Sequence, residues 1–126
     1  MLKAAIWDFD GTLFDTYPGM VSAFEKALED SGVRGDREVI LKLMKDFSVS
    51  HAYRHYREIY PIKDDFMDRY HTYETGLDKS IARPYPYARE ACRDIQKNGG
   101  LNFLFTHRGS TALEYLERHG MTKYFT

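Results

Sequence analysis

Two short apolar segments, far apart in the chain, place the strongest constraint on the fold. Residues 2–8 and 101–105 each have the pattern of a buried strand, and they end at or just before the polar residues Asp8 and Thr106. The intervening segment 16–80 has apolar residues at helical spacing and no strand pattern. Strands joined by a long helical crossover pair in parallel, and such crossovers are right-handed. The sequence therefore predicts an α/β fold with a parallel sheet and a large helical insert.

Helices account for most of the remaining chain, because apolar residues recur at helical spacing and capping residues precede them. The insert is predicted to hold four helices, and two more flank the second strand. The predicted helices are 17–31; a second capped by Asp36; a third capped by Ser48 or Ser50 and ending near Tyr60; a fourth with Asp64 and Asp65 in its first turn; 87–97; and a last one capped by Ser110 and ending at His119.

This order of elements predicts two domains. Pro84 and Pro86 prevent a continuous helix, so the helical insert ends before them. Residues 1–15 and 82–126 would form a discontinuous α/β domain, and residues 16–81 a four-helix domain. In parallel sheets ligands bind beyond the carboxyl ends of the strands, so the residues that follow the two strands are expected at one edge.

Composition excludes several classes of function. Lys and Arg number 18 and Asp and Glu 19, and the net charge of -1 gives no case for nucleic acid or an anionic membrane as partner. The single cysteine, Cys92, allows no internal disulfide. The apolar run before Asp8 is too short for a signal peptide, and no run approaches the roughly 20 residues of a membrane span. A cytoplasmic protein is expected.

Two carboxylates, Asp8 and Asp10, stand two residues apart where the first strand opens into a turn. One carboxylate can attack phosphorus and form an acyl phosphate. The other can protonate the leaving oxygen and later activate water. Two anions that face an anionic substrate need a cation, and Mg²⁺ prefers oxygen ligands. The pair therefore predicts a magnesium-dependent phosphotransfer site.

Other residues near the two strand ends have the chemistry to bind a phosphate. Gly11 allows the backbone to turn closely around an anion, where N–H groups form a nest. Thr106 offers a hydroxyl, and a helix that begins near Ser110 directs its N–H groups the same way. Arg108 could bind a phosphate or a substrate carboxylate, or lie with His107 in a surface loop. An Asp-x-Asp-Gly-Thr string is also typical of a turn with an Asx cap, so a non-catalytic interpretation stays open.

Four segments resemble motifs of one enzyme superfamily. Residues 7–16 resemble the first motif of the haloacid dehalogenase-like hydrolases, and residues 103–106 resemble the second. Residues 83–87 are similar to the hinge by which members with a helical cap return to the core, and residues 114–125 to the helix and turn that follow. The resemblance implies a Rossmann-like core with an inserted helical cap. Within the superfamily, the chain is similar to the phosphoglycolate phosphatase-like and β-phosphoglucomutase-like group.

The resemblance also implies residue roles. Asp8 would be the nucleophile and a Mg²⁺ ligand, and Asp10 the acid/base, with its backbone carbonyl on the metal. Dehalogenases of the superfamily lack the second aspartate, so Asp10 favours phosphate chemistry on a small phosphorylated metabolite. The residues expected to bind the phosphoryl group are Phe9, Gly11, Thr106, His107 and Arg108.

The chain departs from the superfamily in one respect. Members carry two further motifs, a lysine and an acidic pair, after additional strands, whereas only Lys123 follows the last predicted helix here. We therefore expect an amino-terminal fragment, or a sheet that another copy completes. Three functions stay open on the sequence: a phosphatase, a sugar phosphomutase of the same chemistry, and a non-catalytic fragment with a binding or regulatory role.

Overall fold

A computed structural model describes residues 3–80, 82–106 and 108–126. Its elements in chain order are β1 (Ala4–Trp7), α1 (Tyr17–Glu29), α2 (Arg37–Asp46), α3 (Val49–Ile59), α4 (Phe66–Thr75), α5 (Pro86–Lys97), β2 (Leu101–Leu104), α6 (Thr111–Arg118) and a 3₁₀ helix, Thr122–Tyr124.

The chain divides into two compact units. Residues 1–16 and 78–126 form one, called the sheet unit below, and residues 17–77 form the other, called the helical unit. The predicted division was 1–15 with 82–126 and 16–81. The roles of catalytic core and cap that the resemblance implies for these units stay predictions.

The two strands pair in parallel, as predicted. Ala4 lies opposite Leu101 and Trp7 opposite Leu104. The Phe105 N–H still donates to the Trp7 carbonyl oxygen at 2.8 Å, so the strands run together to their carboxyl ends. The predicted strands were longer: β2 ends one residue earlier, and the predicted start of β1 at Leu2 lies outside the described residues.

The two faces of this sheet differ in burial because side chains alternate along a strand. One face carries the half-buried Trp7 and the fully buried Asn102. The other carries Ile6, which is 76% exposed, and Phe103, which is 38% exposed, so the prediction that both strands are buried was wrong for this face. The buried residues that form the core of the sheet unit are Phe9, Leu13, Phe14, Ala88, Cys92, Ala112, Tyr115, Leu116 and Met121.

The helical unit has a hydrophobic core of its own. Its centre is Phe24 on α1, whose ring packs edge-on against Phe66 of α4 with 4.9 Å between the centroids. Tyr56 and Tyr70 approach the same ring at 5.8 and 6.1 Å. Phe66 and Tyr70 of α4 are therefore buried in this core. In the described part of the chain, no helix is long and apolar enough to cross a membrane.

Two of the predicted helix caps are confirmed. The Asp36 carboxylate accepts the N–H groups of Glu38 and Val39 at the start of α2. Ser48 accepts the N–H of His51 at the start of α3, which decides between the two candidate serines. Both capping residues have an extended backbone, so that the side-chain oxygen reaches back over the first turn.

The predictions for the starts of α4 and α6 were wrong in detail. Asp65 precedes α4 instead of lying in its first turn, and neither Asp65 nor Ser110 makes a side-chain cap bond to a described residue. The reason is the backbone, which is not extended at Asp65 (φ -87°, ψ 13°) and is helical at Ser110 (φ -63°, ψ -15°). The first helix also ends at Glu29 rather than residue 31, because the chain turns at Gly32 with a φ of 72°.

Candidate active site

The turn that follows β1 is closed by its own backbone. The Phe9 carbonyl oxygen accepts the N–H groups of Leu13 and Phe14 at 3.0 and 3.2 Å, and the Gly11 N–H donates to the Phe14 carbonyl at 2.9 Å. Gly11 has a φ of 75°, which a side chain at that position would disfavour. Phe9, Leu13 and Phe14 are fully buried, so the turn is anchored in the core of the sheet unit.

The segment that returns from the helical unit also holds this turn. The Asp15 N–H donates to the Arg83 carbonyl at 3.0 Å, and the Tyr85 N–H donates to the Leu13 carbonyl at 2.9 Å. The Tyr87 hydroxyl donates to the backbone carbonyl of Thr12 at 2.6 Å. The proline-containing segment thus fixes the loop that carries the two candidate carboxylates.

The two carboxylates have different surroundings. Asp8 is exposed, and its Oδ1 accepts the N–H of Phe9 at 2.8 Å. Asp10 is half-buried, and its Oδ1 accepts two hydrogen bonds, from the Thr16 hydroxyl at 2.5 Å and from the Arg108 Nε at 2.8 Å. Asp10 is therefore held in place by two other side chains, whereas the exposed Asp8 is open to solvent.

The residues after β2 reach the same site. The Thr106 hydroxyl oxygen accepts the backbone N–H of Arg108 at 3.1 Å. A hydroxyl can accept one hydrogen bond and donate another, so the Thr106 hydroxyl can still donate to a ligand. The Arg108 side chain is only 9% exposed, and its guanidinium lies over the rings of Phe9 and Tyr115, at 5.8 and 5.4 Å from their centroids.

Family comparison gives this arrangement its context. The sequence profile of the haloacid dehalogenase-like hydrolases matches residues 5–126. The chain belongs to this family. Among curated proteins, none matches the sequence.

Three solved structures illustrate the fold of this haloacid dehalogenase-like hydrolase. A hydrolase from Streptococcus pneumoniae TIGR4 is 28% identical, with a TM-score of 0.67, over 99% of this chain and 64% of that one. A Thermotoga maritima protein provisionally named a β-phosphoglucomutase is 26% identical, with a TM-score of 0.72, over 98% and 59%. A predicted phosphoglycolate phosphatase from Haemophilus somnus 129pt is 18% identical, with a TM-score of 0.78, over 99% and 60%. The chain thus spans about 60% of the length of these structures.

The structure brings most of the predicted site residues of this hydrolase to one edge of the sheet. Asp8 and Asp10 follow β1, Thr106 and Arg108 follow β2, and the Asp10–Arg108 hydrogen bond joins the two groups. His107, also predicted to bind phosphate, lies outside the described residues.

Two predicted phosphate donors are engaged elsewhere in this structure. The Phe9 N–H bonds to the Asp8 carboxylate, and the Gly11 N–H bonds within the turn. A phosphate that approached Asp8 would compete with that carboxylate for the Phe9 N–H. The assignment of these two N–H groups to phosphate binding stays a prediction.

Sequence analysis missed three residues around the site. Thr16 is 2% exposed and bonds Asp10, and Tyr115 is 2% exposed and packs under Arg108. Lys79 is 9% exposed, and its ammonium lies 5.7 Å from the centroid of the Tyr115 ring. The helical spacing of the apolar residues of α6 could have indicated that Tyr115 faces the core. A buried lysine in the segment that leaves the helical unit has no signal in sequence, because its burial depends on packing against α6.

The donor atoms at this edge suit a hard cation. In the described residues, no group of three or more His, Cys, Asp or Glu side chains could hold a metal ion. Mg²⁺, however, is commonly held by one or two carboxylates together with substrate phosphates and water. The exposed Asp8 carboxylate is an oxygen donor of that kind, and the resemblance implies the backbone carbonyl of Asp10 as a second, so the chemistry of these donors suits Mg²⁺ in the presence of a phosphorylated substrate.

Proposed function

We propose that this haloacid dehalogenase-like hydrolase acts on phosphate monoesters through a phosphorylated Asp8. The observation that best supports this is the contrast between an exposed carboxylate at Asp8 and a carboxylate fixed by two donors at Asp10. A nucleophile needs access to the substrate, and an acid/base needs a defined position.

In the first step a carboxylate oxygen of Asp8 attacks phosphorus, and the bond from phosphorus to the ester oxygen breaks. Asp10 gives its proton to the leaving oxygen, so that an alcohol departs and an acyl phosphate forms on Asp8. The Thr106 hydroxyl, which accepts the Arg108 N–H and can still donate, would bond a phosphoryl oxygen.

In the second step Asp10 takes a proton from water as that water attacks the acyl phosphate, which releases inorganic phosphate and restores Asp8. Bound Mg²⁺, held by Asp8 and the Asp10 carbonyl, would offset the negative charge that the carboxylates and the phosphate bring together. The substrate we propose is a small phosphorylated metabolite.

The test is the turnover of an aryl phosphate in Mg²⁺ by the wild-type chain and by two aspartate variants. We expect Asp8→Asn to abolish turnover and the phosphorylated intermediate, since an amide is a poor nucleophile. Asp15→Asn is the matched control, because Asp15 is exposed on the same loop. Its hydrogen bond to the Arg83 carbonyl is made by its backbone N–H, which the substitution keeps. Full turnover by Asp8→Asn would remove Asp8 from its role.

A sugar phosphomutase is the second candidate, because the chemistry on Asp8 is the same and one similar structure is provisionally named a β-phosphoglucomutase. Formation of a bisphosphorylated sugar from a sugar phosphate would favour it. A wild-type chain that forms neither free phosphate nor a phosphorylated Asp8 would favour the non-catalytic alternative, a binding or regulatory role.

A further inference from the structure

Arg108 is the one described residue after β2 whose side chain bonds Asp10. Its Nε lies 2.8 Å from the Asp10 Oδ1, although the two residues are 98 positions apart. The guanidinium is nearly buried, with 9% of its side chain exposed, while the Asp10 side chain is 25% exposed. Of the two paired side chains, the arginine is therefore the more deeply buried and the carboxylate the more accessible.

Packing fixes the direction of this guanidinium. The rings of Phe9 and Tyr115 lie under it, and both are themselves fully or almost fully buried. Its NH1 group also lies 3.4 Å from the Thr111 hydroxyl on α6. A planar guanidinium that lies close to two rings and a hydroxyl keeps its hydrogen-bonding direction better than a flexible lysine ammonium at the same position would.

Both donors bind the same oxygen of Asp10. Thr16 and Arg108 each bond Oδ1, one from each of the two chain segments that form the sheet unit. Two bonds to one oxygen fix the rotation of the carboxyl group and set the position of Oδ2, the oxygen that we assign to proton exchange with the substrate. A proton donor held in this way contributes to catalysis through its placement.

We infer that Arg108 is a positioning residue for Asp10 and not a ligand of the phosphoryl group. This inference rests on the proposed function, because it assigns Arg108 to the proton transfer that Asp10 performs. Its consequence is a dependence on the leaving group. An alkyl phosphate needs its leaving oxygen protonated, whereas an activated aryl phosphate leaves without a proton.

The first experiment compares kcat/KM for an alkyl and an aryl phosphate in Mg²⁺, since kcat/KM reports the step in which the leaving group departs. Arg108→Met, which keeps much of the packing between the rings, is expected to lose about a hundredfold on the alkyl ester and less than about threefold on the aryl ester. Arg108→Lys retains the charge and should still lose most of the activity that Arg108→Met loses on the alkyl ester. Arg93→Met, at an exposed arginine of α5, should leave both values unchanged.

The second experiment needs no turnover. The unfolding equilibria of Arg108→Met, Asp10→Asn and the double variant form a cycle that measures the coupling of the pair. We expect the two effects to be non-additive by about fivefold or more in the unfolding constant. The Arg93→Met variant combined with Asp10→Asn should be additive.

The outcomes separate the two hypotheses. Equal losses on both esters with a raised KM would make Arg108 a phosphate ligand, and equal losses with unchanged KM would make its role structural; either overturns the inference and leaves the proposed function standing. Additivity in the cycle overturns it as well. A wild-type chain that hydrolyses neither ester overturns the proposed function, and the inference with it.

Discussion

Replacing Asn102 offers the sharpest test of how the site is supported. This asparagine is fully buried in β2, where an apolar residue would be usual. Its Nδ2 donates to the carbonyl oxygens of Cys92 at 2.8 Å and Tyr124 at 3.0 Å, and its Oδ1 accepts the indole N–H of Trp7 at 2.9 Å. One amide thus connects β1, β2, α5 and the 3₁₀ helix.

The magnitude follows from these bonds. Asn102→Leu keeps a similar volume but leaves one N–H and two carbonyl groups without this partner. A buried polar group that loses its partner destabilises by about 1–3 kcal/mol. Trp7 is half-buried, so water compensates part of its loss. The two carbonyl groups together account for about 2–6 kcal/mol, to which Trp7 adds a smaller part. This is a large share of the roughly 5–15 kcal/mol that stabilises a domain.

The assay is urea unfolding followed by tryptophan fluorescence, because Trp7 is the single tryptophan and lies in the sheet unit. Asn98→Leu is the matched control, since the Asn98 amide makes one exposed bond to the Asp94 carbonyl of its own helix. We expect it to change the unfolding free energy by less than about 1 kcal/mol. Asn102→Asp keeps the acceptor for Trp7 and loses both donors, so it should also be strongly destabilised. Equal stability of Asn102→Leu and Asn98→Leu would refute the reasoning.

Three further predictions concern the remaining structure. Burial raises the pKa of the Cys92 thiol to about 11. The contribution of the neutral thiol to the unfolding free energy is therefore fully present below the ordinary pKa of 9.0 and falls as pH rises from there towards 11. Cys92→Ala should remove this part of an alkaline unfolding profile. The hydrogen bond from Tyr73 lowers the pKa of Asp30, so this contribution is present above 3.8 and lost as pH falls below it; Tyr73→Phe should make the acid unfolding profile of the helical unit shallower. Ile40→Ala, at a fully buried site, should destabilise the helical unit by about 2–5 kcal/mol in urea unfolding followed by circular dichroism, whereas Val39→Ala, 40% exposed, should stay within about 1 kcal/mol.

The elements that sequence predicted correctly are those that depend on local pattern. The apolar runs around β1 and β2, separated by helical spacing alone, were enough to predict a parallel pair. Asp36 could be predicted as a cap because it directly precedes an apolar helical repeat, whereas the sequence left Ser48 and Ser50 as alternatives for the next helix. The position of Asp8 and Asp10 in the turn after β1 was also predicted from local pattern, whereas their roles stay predictions.

The features that sequence did not predict depend on contacts between distant residues or on backbone angles. Nothing near Ser110 shows that its backbone is already helical, which removes the cap bond. The bond between Asp10 and Arg108 joins residues 98 positions apart, and a surface loop was an equally good interpretation of Arg108. Asn102 reads as an interruption of an apolar strand until its three partners are known.

The difference between the two carboxylates follows from one buried residue between them. Phe9 is fully buried and separates the exposed Asp8 from the half-buried Asp10. The turn closed by Phe9 then brings Asp10 towards Thr16 and Arg108, while Asp8 stays at the end of β1 and exposed. Two identical side chains thereby differ in exposure and in hydrogen bonding, and a reaction that needs one accessible nucleophile and one fixed proton donor suits this loop better than a reaction that needs two equivalent acids.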